Sequence, residues 1–394
     1  MKHILIILLI ISTQTLFGQE NKTPYVYDDG TTRIKLGGFV QGMVAKDFGG
    51  AINNHDFIVS SLSVPENWQQ QSRLAFDASV SRVNLAVTHK TNSFWDIQFL
   101  VETDFRTDGN LLRLRHAYIS VLGFTAGQTW SFMYDNDAMA PTIDVQGVNS
   151  RTFYRTPLIG YTHKFGAKFS AGISVEMPSA RITTSSVATT DPVTGILTRT
   201  DVIIPAAQTI PDIPAFIQFK TPKCHFRLAG VLRTINYGHS PQEKIKTKQG
   251  LGGQLSGSFK PVSALTVFGH AIYGKGIARY INDLRTGSFD LMTERRNPDN
   301  IDALTMYSAS IGVRADISPK IYLSSNFSIA EVNKDEKFVR DSDYRYGTYF
   351  SGTFFWRAYG NLLFAAEYLH GYRQNMNSDS GNANRIQTML RYSF

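Results

Sequence analysis

The sequence holds one cysteine, Cys224, in 394 residues. An internal disulfide and a Cys-x-x-Cys metal site are therefore both excluded. Long hydrophobic runs are equally scarce. Beyond the N-terminus, no apolar stretch approaches the ~18 residues of a spanning helix. Mean hydropathy is −0.17 and hydrophobic content 42%, which excludes a bundle of such helices. No capped amphipathic run and no repeat of solenoid length emerges, because Gly and Thr interrupt each candidate helix. The nine histidines are scattered without ligand spacing, so neither a metal site nor a cofactor is expected.

What the chain does have is aromatic side chains, positive charge and alternation. It carries 26 Phe and 18 Tyr, with a formal charge of +8. Modest hydropathy with many aromatics suits a barrel with one lipid face and one wet face. The charge favours anionic partners. The basic residues alternate along strands instead of forming an exposed patch, which argues against nucleic acid.

The opening MKHILIILLIISTQTLFGQE places Lys2 and His3 before an apolar run, Ile4–Ile11, and then small and polar residues. That is the pattern of a signal peptide, residues 1–18, cleaved after Gly18. Residues 19–33 read as a short periplasmic lead, and 34–394 as one barrel domain. Within it, apolar and polar residues alternate with the period of two that marks strands. Val83, Leu85 and Val87 alternate with Arg82, Asn84 and Ala86, and Phe99 and Val101 with Gln98 and Glu102. Short connections such as TPKC and ADISPK alternate with long ones at 49–69, 131–151, 179–210 and 275–300. The count is about 16 strands. The fold expected is an all-β transmembrane antiparallel β-barrel, apolar face to lipid and polar face to a lumen.

The polar face suggests a site. In VETDFRTDGNLLRLRHAY, symmetric closure of the turn sets Asp104 opposite Arg113 and Glu102 opposite Arg115. Arg82 shares their inward parity. The expected lumen patch is Arg82, Glu102, Asp104, Arg113 and Arg115, a guanidinium track for anions. Lys220, Arg227, Arg233, Arg314, Arg385 and Arg391 also fall on polar faces and read as general lining, while Tyr280 reads as a packing residue.

Several motifs in order complete the reading: SRVNLAV (81–87), VETDF (101–105), RLRHAYISV (113–121), AGQTWSFM (126–133), PTID (141–144), RTPLIGYT (155–162), YGKGIARYI (273–281) and NRIQTMLRYSF (384–394). Together they resemble the DcaP-like trimeric outer-membrane porins, relatives of the phosphate-selective group. The resemblance implies a homotrimer of 16-stranded barrels, each with a long loop folded into the lumen. That loop would be 131–151. Its Asp135, Asp137 and Asp144 would face the arginines across a constriction, with Arg155 beside them. It also implies passive uptake of small anions such as dicarboxylates or phosphate. A periplasmic coiled coil found in some relatives has no counterpart in the lead.

The last strand, RIQTMLRYSF, keeps Ile386, Thr388, Leu390, Tyr392 and Phe394 on one face. It reads as the closing strand, pairing near Ile34–Met43. By the same resemblance Tyr392 and Phe394 form the signal recognised by the barrel assembly machinery, and outer-membrane lipid surrounds the barrel. An enzyme is not expected, since His116 and His270 accompany no G-x-S-x-G or other nucleophile motif. A plugged 22-stranded transporter would need a longer lead. A barrel acting in surface adhesion or docking through its long loops remains the alternative.

Overall fold

The computed structural model describes residues 25–394 apart from 68, 70, 92–94, 183–185, 191–196, 202–203, 239–243, 295 and 298–299. The expected signal peptide and the start of the lead lie outside the described residues.

Alternating sequence folds into sixteen antiparallel strands closed into a barrel. They are β1 (Thr32–Phe48), β2 (Ser72–Asp77 continued by Arg82–Lys90), β3 (Asp96–Asp104), β4 (Arg113–Val121), β5 (Phe124–Trp130), β6 (Arg155–Phe165), β7 (Phe169–Glu176) and β8 (Ile213–Lys220). The remainder are β9 (Cys224–Gly238), β10 (Lys246–Val262), β11 (Leu265–Lys275), β12 (Thr305–Asp316), β13 (Ile321–Val332), β14 (Tyr344–Tyr359), β15 (Leu362–Asn375) and β16 (Ser380–Ser393). Every neighbour in this order is paired. Short turns close one end. One of the two-residue turns is Leu122–Gly123, whose positive φ values of 51° and 86° give the primed turn that matches strand twist.

β16 closes the barrel against β1 from Phe39–Ser393 to Phe48–Asn384. This lies several residues beyond the expected Ile34–Met43. The reason is that Arg33–Lys35 is already paired on that edge with Val26–Asp28, so the end of the lead is itself a strand. Tyr25 meets the Phe394 ring edge-on, with 6.3 Å between centroids.

The outward face is largely apolar, with polar residues such as Lys46 toward the long-loop end. Leu85, Val101, Ile119, Ile159, Ile173, Ile217, Leu228, Leu255, Ile311, Phe327 and Leu390 are all exposed. A continuous surface of this kind suits hydrocarbon and not water. At the short-turn end an aromatic belt surrounds it. Phe124 packs on Tyr161, Phe169 on Phe219, and Phe259, Tyr359 and Tyr392 continue the ring.

The apolar core lies inside the barrel, toward the long-loop end, where loops fold inward. Ile277, Tyr280, Ile281 and Leu284 of the β11–β12 loop pack with Met133, Met306 and Val332. Ile52, Phe57 and Val59 of the β1–β2 loop pack with Val148, Tyr349 and Leu369. These inserted loops, not the strands, narrow the lumen.

Candidate functional site

The narrowing is built around the β5–β6 loop, residues 131–154. It is held down by backbone groups that find side-chain acceptors on the wall. The N–H groups of Ile143 and Asp144 and the Thr142 hydroxyl donate to the Glu367 carboxyl of β15. Thr152 donates to Gln254 and to the Tyr280 carbonyl. The Asn149 amide donates to the Gly347 carbonyl. Bonds of this kind satisfy the backbone of a buried loop, while Ser150 Oγ and Arg151 Nε stay without partners.

On the opposite wall the strand register concentrates charge. Asp104 faces Arg113, which binds it through two bonds, Nε–Oδ1 at 2.8 Å and Nη2–Oδ2 at 2.7 Å. Glu102 does not face Arg115 as symmetric closure predicts. A bulge between Glu102 and Thr103 sets it opposite His116. The extra residue turns both Arg115 and His116 inward. Arg115 still reaches Glu102 at 2.6 Å and Asp104 at 2.7 Å, and Arg82 lies 3.8 Å from Glu102. Asp104 and Arg115 are 0% and 2% exposed, so they neutralise one another. Arg113, at 35%, keeps a face toward the lumen.

Arg155 comes from β6, in register with Trp130. Strand parity groups it with exposed Pro157 and Ile159 on the outward face. Its guanidinium nonetheless lies over the Trp130 ring, 4.6 Å from the centroid. The β4–β5 ladder ends at Ala117–Gln128, so the sheet parts here and gives the side chain room. Arg155 Nη1 is buried and has no hydrogen-bond partner. Trp130, Tyr134 and Phe153 stack beside it, and Arg151 covers Phe153 at 3.9 Å.

A cavity of about 200 Å³ lies between this wall and the loop. Arg106, Arg113, Arg115, Arg155 and Arg285 line it with a single carboxylate, Asp56, and with Gln128, Gln146 and Phe153. Strand parity missed Arg106, Arg285 and Asp56, because all three come from connecting loops. Only the proximity of Arg106 to Asp104 in the chain hinted at one of them.

The three loop aspartates do not oppose the arginines across open space. Asp135 is buried and accepts from His225 Nε2 at 2.8 Å and Ser256 Oγ at 2.6 Å. Burial disfavours its charge, but those bonds outweigh it and hold the carboxyl below its usual value. Asp137 is paired with Lys220. Asp144 is buried, accepting from the Phe57 N–H and the Tyr349 hydroxyl. An acid that fastens a loop to a wall is engaged by that bond and does not stand unpaired opposite the arginines. The general lining arginines are engaged too, some by loops and some within the wall. Arg385 is paired with Asp47 and the carbonyls of Asn54 and His55, and Arg233 with Asp212 and Asp290. Arg227 donates to the Phe132 carbonyl, Arg314 pairs with Asp316, and Arg391 lies over Phe39. Tyr280 is fully buried, its hydroxyl on Glu176 and Asp212.

Asp144 makes the loop pH-sensitive. Burial, then the nearby carboxyls of Asp56 and Glu367, push its carboxyl from the ordinary 3.8 up to about 7. A carboxyl raised on folding stabilises the fold in its protonated form. That stabilisation is complete below 3.8 and is lost as pH rises toward about 7. The unfolding temperature should therefore fall across this window, and Asp144→Asn should flatten the fall. A slope equal in both proteins would refute the assignment.

Comparison with known proteins agrees with this architecture. No curated protein matches the sequence. The DcaP outer-membrane channel of Acinetobacter baumannii superimposes with a TM-score of 0.74 at 21% identity, over 93% of this chain and 98% of that one. An anion-selective porin from Comamonas acidovorans gives 0.57 at 12%, over 92% and 100%. The trimer form of OmpT from Vibrio cholerae gives 0.56 at 10%, also over 92% and 100%. At these identities the likeness is one of fold. The sequence itself matches the porin subfamily model over residues 22–389, and the chain belongs to that family.

Proposed function

We propose that this porin admits small hydrophilic solutes by passive diffusion across the outer membrane, with preference for anions such as dicarboxylates or phosphate. The observation that carries the preference is the cavity with five arginines and one carboxylate, in which Arg155 Nη1 has no acceptor. A guanidinium binds carboxylate or phosphate through two parallel bonds. Arg82, Arg113 and Arg155 supply the accessible charge, while Glu102, Asp104 and Arg115 hold the scaffold that orients them. The resemblance in fold to an anion-selective porin supports the same reading. It is a channel and not an enzyme on this reading.

We extend the proposal to export and assembly. We assign export to the signal peptide at residues 1–18 and recognition by the assembly machinery to the C-terminal strand with Tyr392 and Phe394. Homotrimer formation is supported by the trimer form of OmpT and by the exposed Leu74, Phe76, Leu111 and Leu112 beside the shorter strands.

The reversal potential in a salt gradient across a planar bilayer tests the charge argument. Its sign should report anion permeation. A cation-selective reversal potential would end the anion assignment while leaving the barrel intact.

A further inference from the structure

The inward faces of β9, β10 and β11 gather residues that lie far apart in the chain. His225 of β9 is in register with Ser258 of β10. Ser256, two residues away on the same face, is in register with His270 of β11. The inserted loop sets Asp135 over this patch. His225 Nε2 lies 2.9 and 2.8 Å from its two oxygens, and Ser256 Oγ lies 2.6 Å from one of them. Asp135 also caps the helical turn Asn136–Ala138, which brings Asp137 to the same place. One donor atom each of Asp135, Asp137 and His225 lies within 4.8 Å of the others.

A second observation points to the same spot. His270 is 6% exposed, and neither of its ring nitrogens has a hydrogen-bond partner. The opposite charge acting on it is that of Asp135. A buried imidazole with both nitrogens idle costs free energy, which a ligand would recover.

We propose that Asp135, Asp137 and His225 form a binding site for a divalent ion of the zinc class, at the foot of the inserted loop, with His270 on the neighbouring strand turning in as the fourth donor. Imidazole and carboxylate donors in fours are what zinc takes, whereas oxygen-only sets suit calcium and magnesium. Lys220 is the internal competitor. Its ammonium pairs with Asp137 where both side chains are about half exposed, and it swings away when the ion enters. The bound ion joins the loop to two strands of the wall. The loop's position thereby becomes responsive to metal, independently of which solute the channel carries.

Calorimetric titration of the purified protein in detergent with Zn²⁺ alone tests the site. The expected result is one ion per chain. His225→Ala and His270→Ala should each weaken binding about tenfold or more, the least expected for a lost ligand. Lys220→Ala should bind as tightly as wild type or tighter. Zn²⁺ should also raise the unfolding temperature of wild type and not of His225→Ala, with circular dichroism confirming that the variant barrels are folded. Absence of saturable binding to wild type, or equal affinity in wild type and both histidine variants, overturns the proposal.

Discussion

Replacing Arg155 and Arg113 together with alanine is expected to lower the chloride-over-potassium permeability ratio by about fivefold or more. The estimate is electrostatic. A unit charge about 5 Å from a passing ion is worth ~1–3 kcal/mol at effective dielectric constants between ~80 and ~20. Arg155 is the stronger contributor, because its Nη1 has no acceptor and, of the charges around it, those of Arg115, Arg113 and Arg82 repel it while Asp104 offsets them in part. Arg113 acts twice. Its removal takes away a cation and leaves Asp104 with Arg115 as its remaining guanidinium partner. Arg155→Lys separates charge from geometry. It should keep the selectivity ratio while weakening block by a dicarboxylate, because an ammonium lacks the planar fork. An unchanged ratio in the double alanine variant would show that the cavity lies off the conduction path.

The largest loss of stability is expected from Arg233→Ala. Arg233 is 1% exposed and binds four groups from β9. It reaches Asp212 at 3.1 Å, Asp290 at 2.6 Å, and the carbonyls of Gly276 and Ser179 at 2.5 Å each. Two long connections, β7–β8 and β11–β12, are thus tied to one side chain. Removing it strands Asp290 in a buried place, and such a loss costs about 3–5 kcal/mol. Asp212 retains Arg279 at 2.8 Å, which limits the damage to one orphan charge. Unfolding free energies should show the loss, and Asp290→Asn in the same chain should recover part of it. A loss below ~1 kcal/mol would place the anchor elsewhere.

Much of the barrel was legible because its physics is local. A strand in a lipid-facing barrel must alternate, so Leu85, Val101 and Leu390 announce their face from neighbours two residues away. The alternation of short turns with long loops then supplied the strand number. Hairpin partners were nearly as legible, since a short turn sets Asp104 against Arg113. The bulge at Glu102 was not, because one extra residue shifts register without changing composition. Neither was the pairing of Val26–Asp28 with β1, where a three-residue strand leaves no periodic signal.

Parity says on which face a residue lies but nothing about what folds in to meet it. Arg385, Arg233, Asp135 and Asp144 all lie inward or on the inserted loop, as read. Loops arriving from up to hundreds of residues away turned them into fastenings. Arg285 and Asp56 joined the arginine cavity by the same route. His225 and His270, scattered in sequence, share a patch because β9 and β11 flank β10. The sequence by itself determined the barrel, its lipid face and its charge, which depend on period and composition. The tertiary structure alone decided which charges stay unpaired, because pairing is a matter of distance in space, and the inserted loops set those distances.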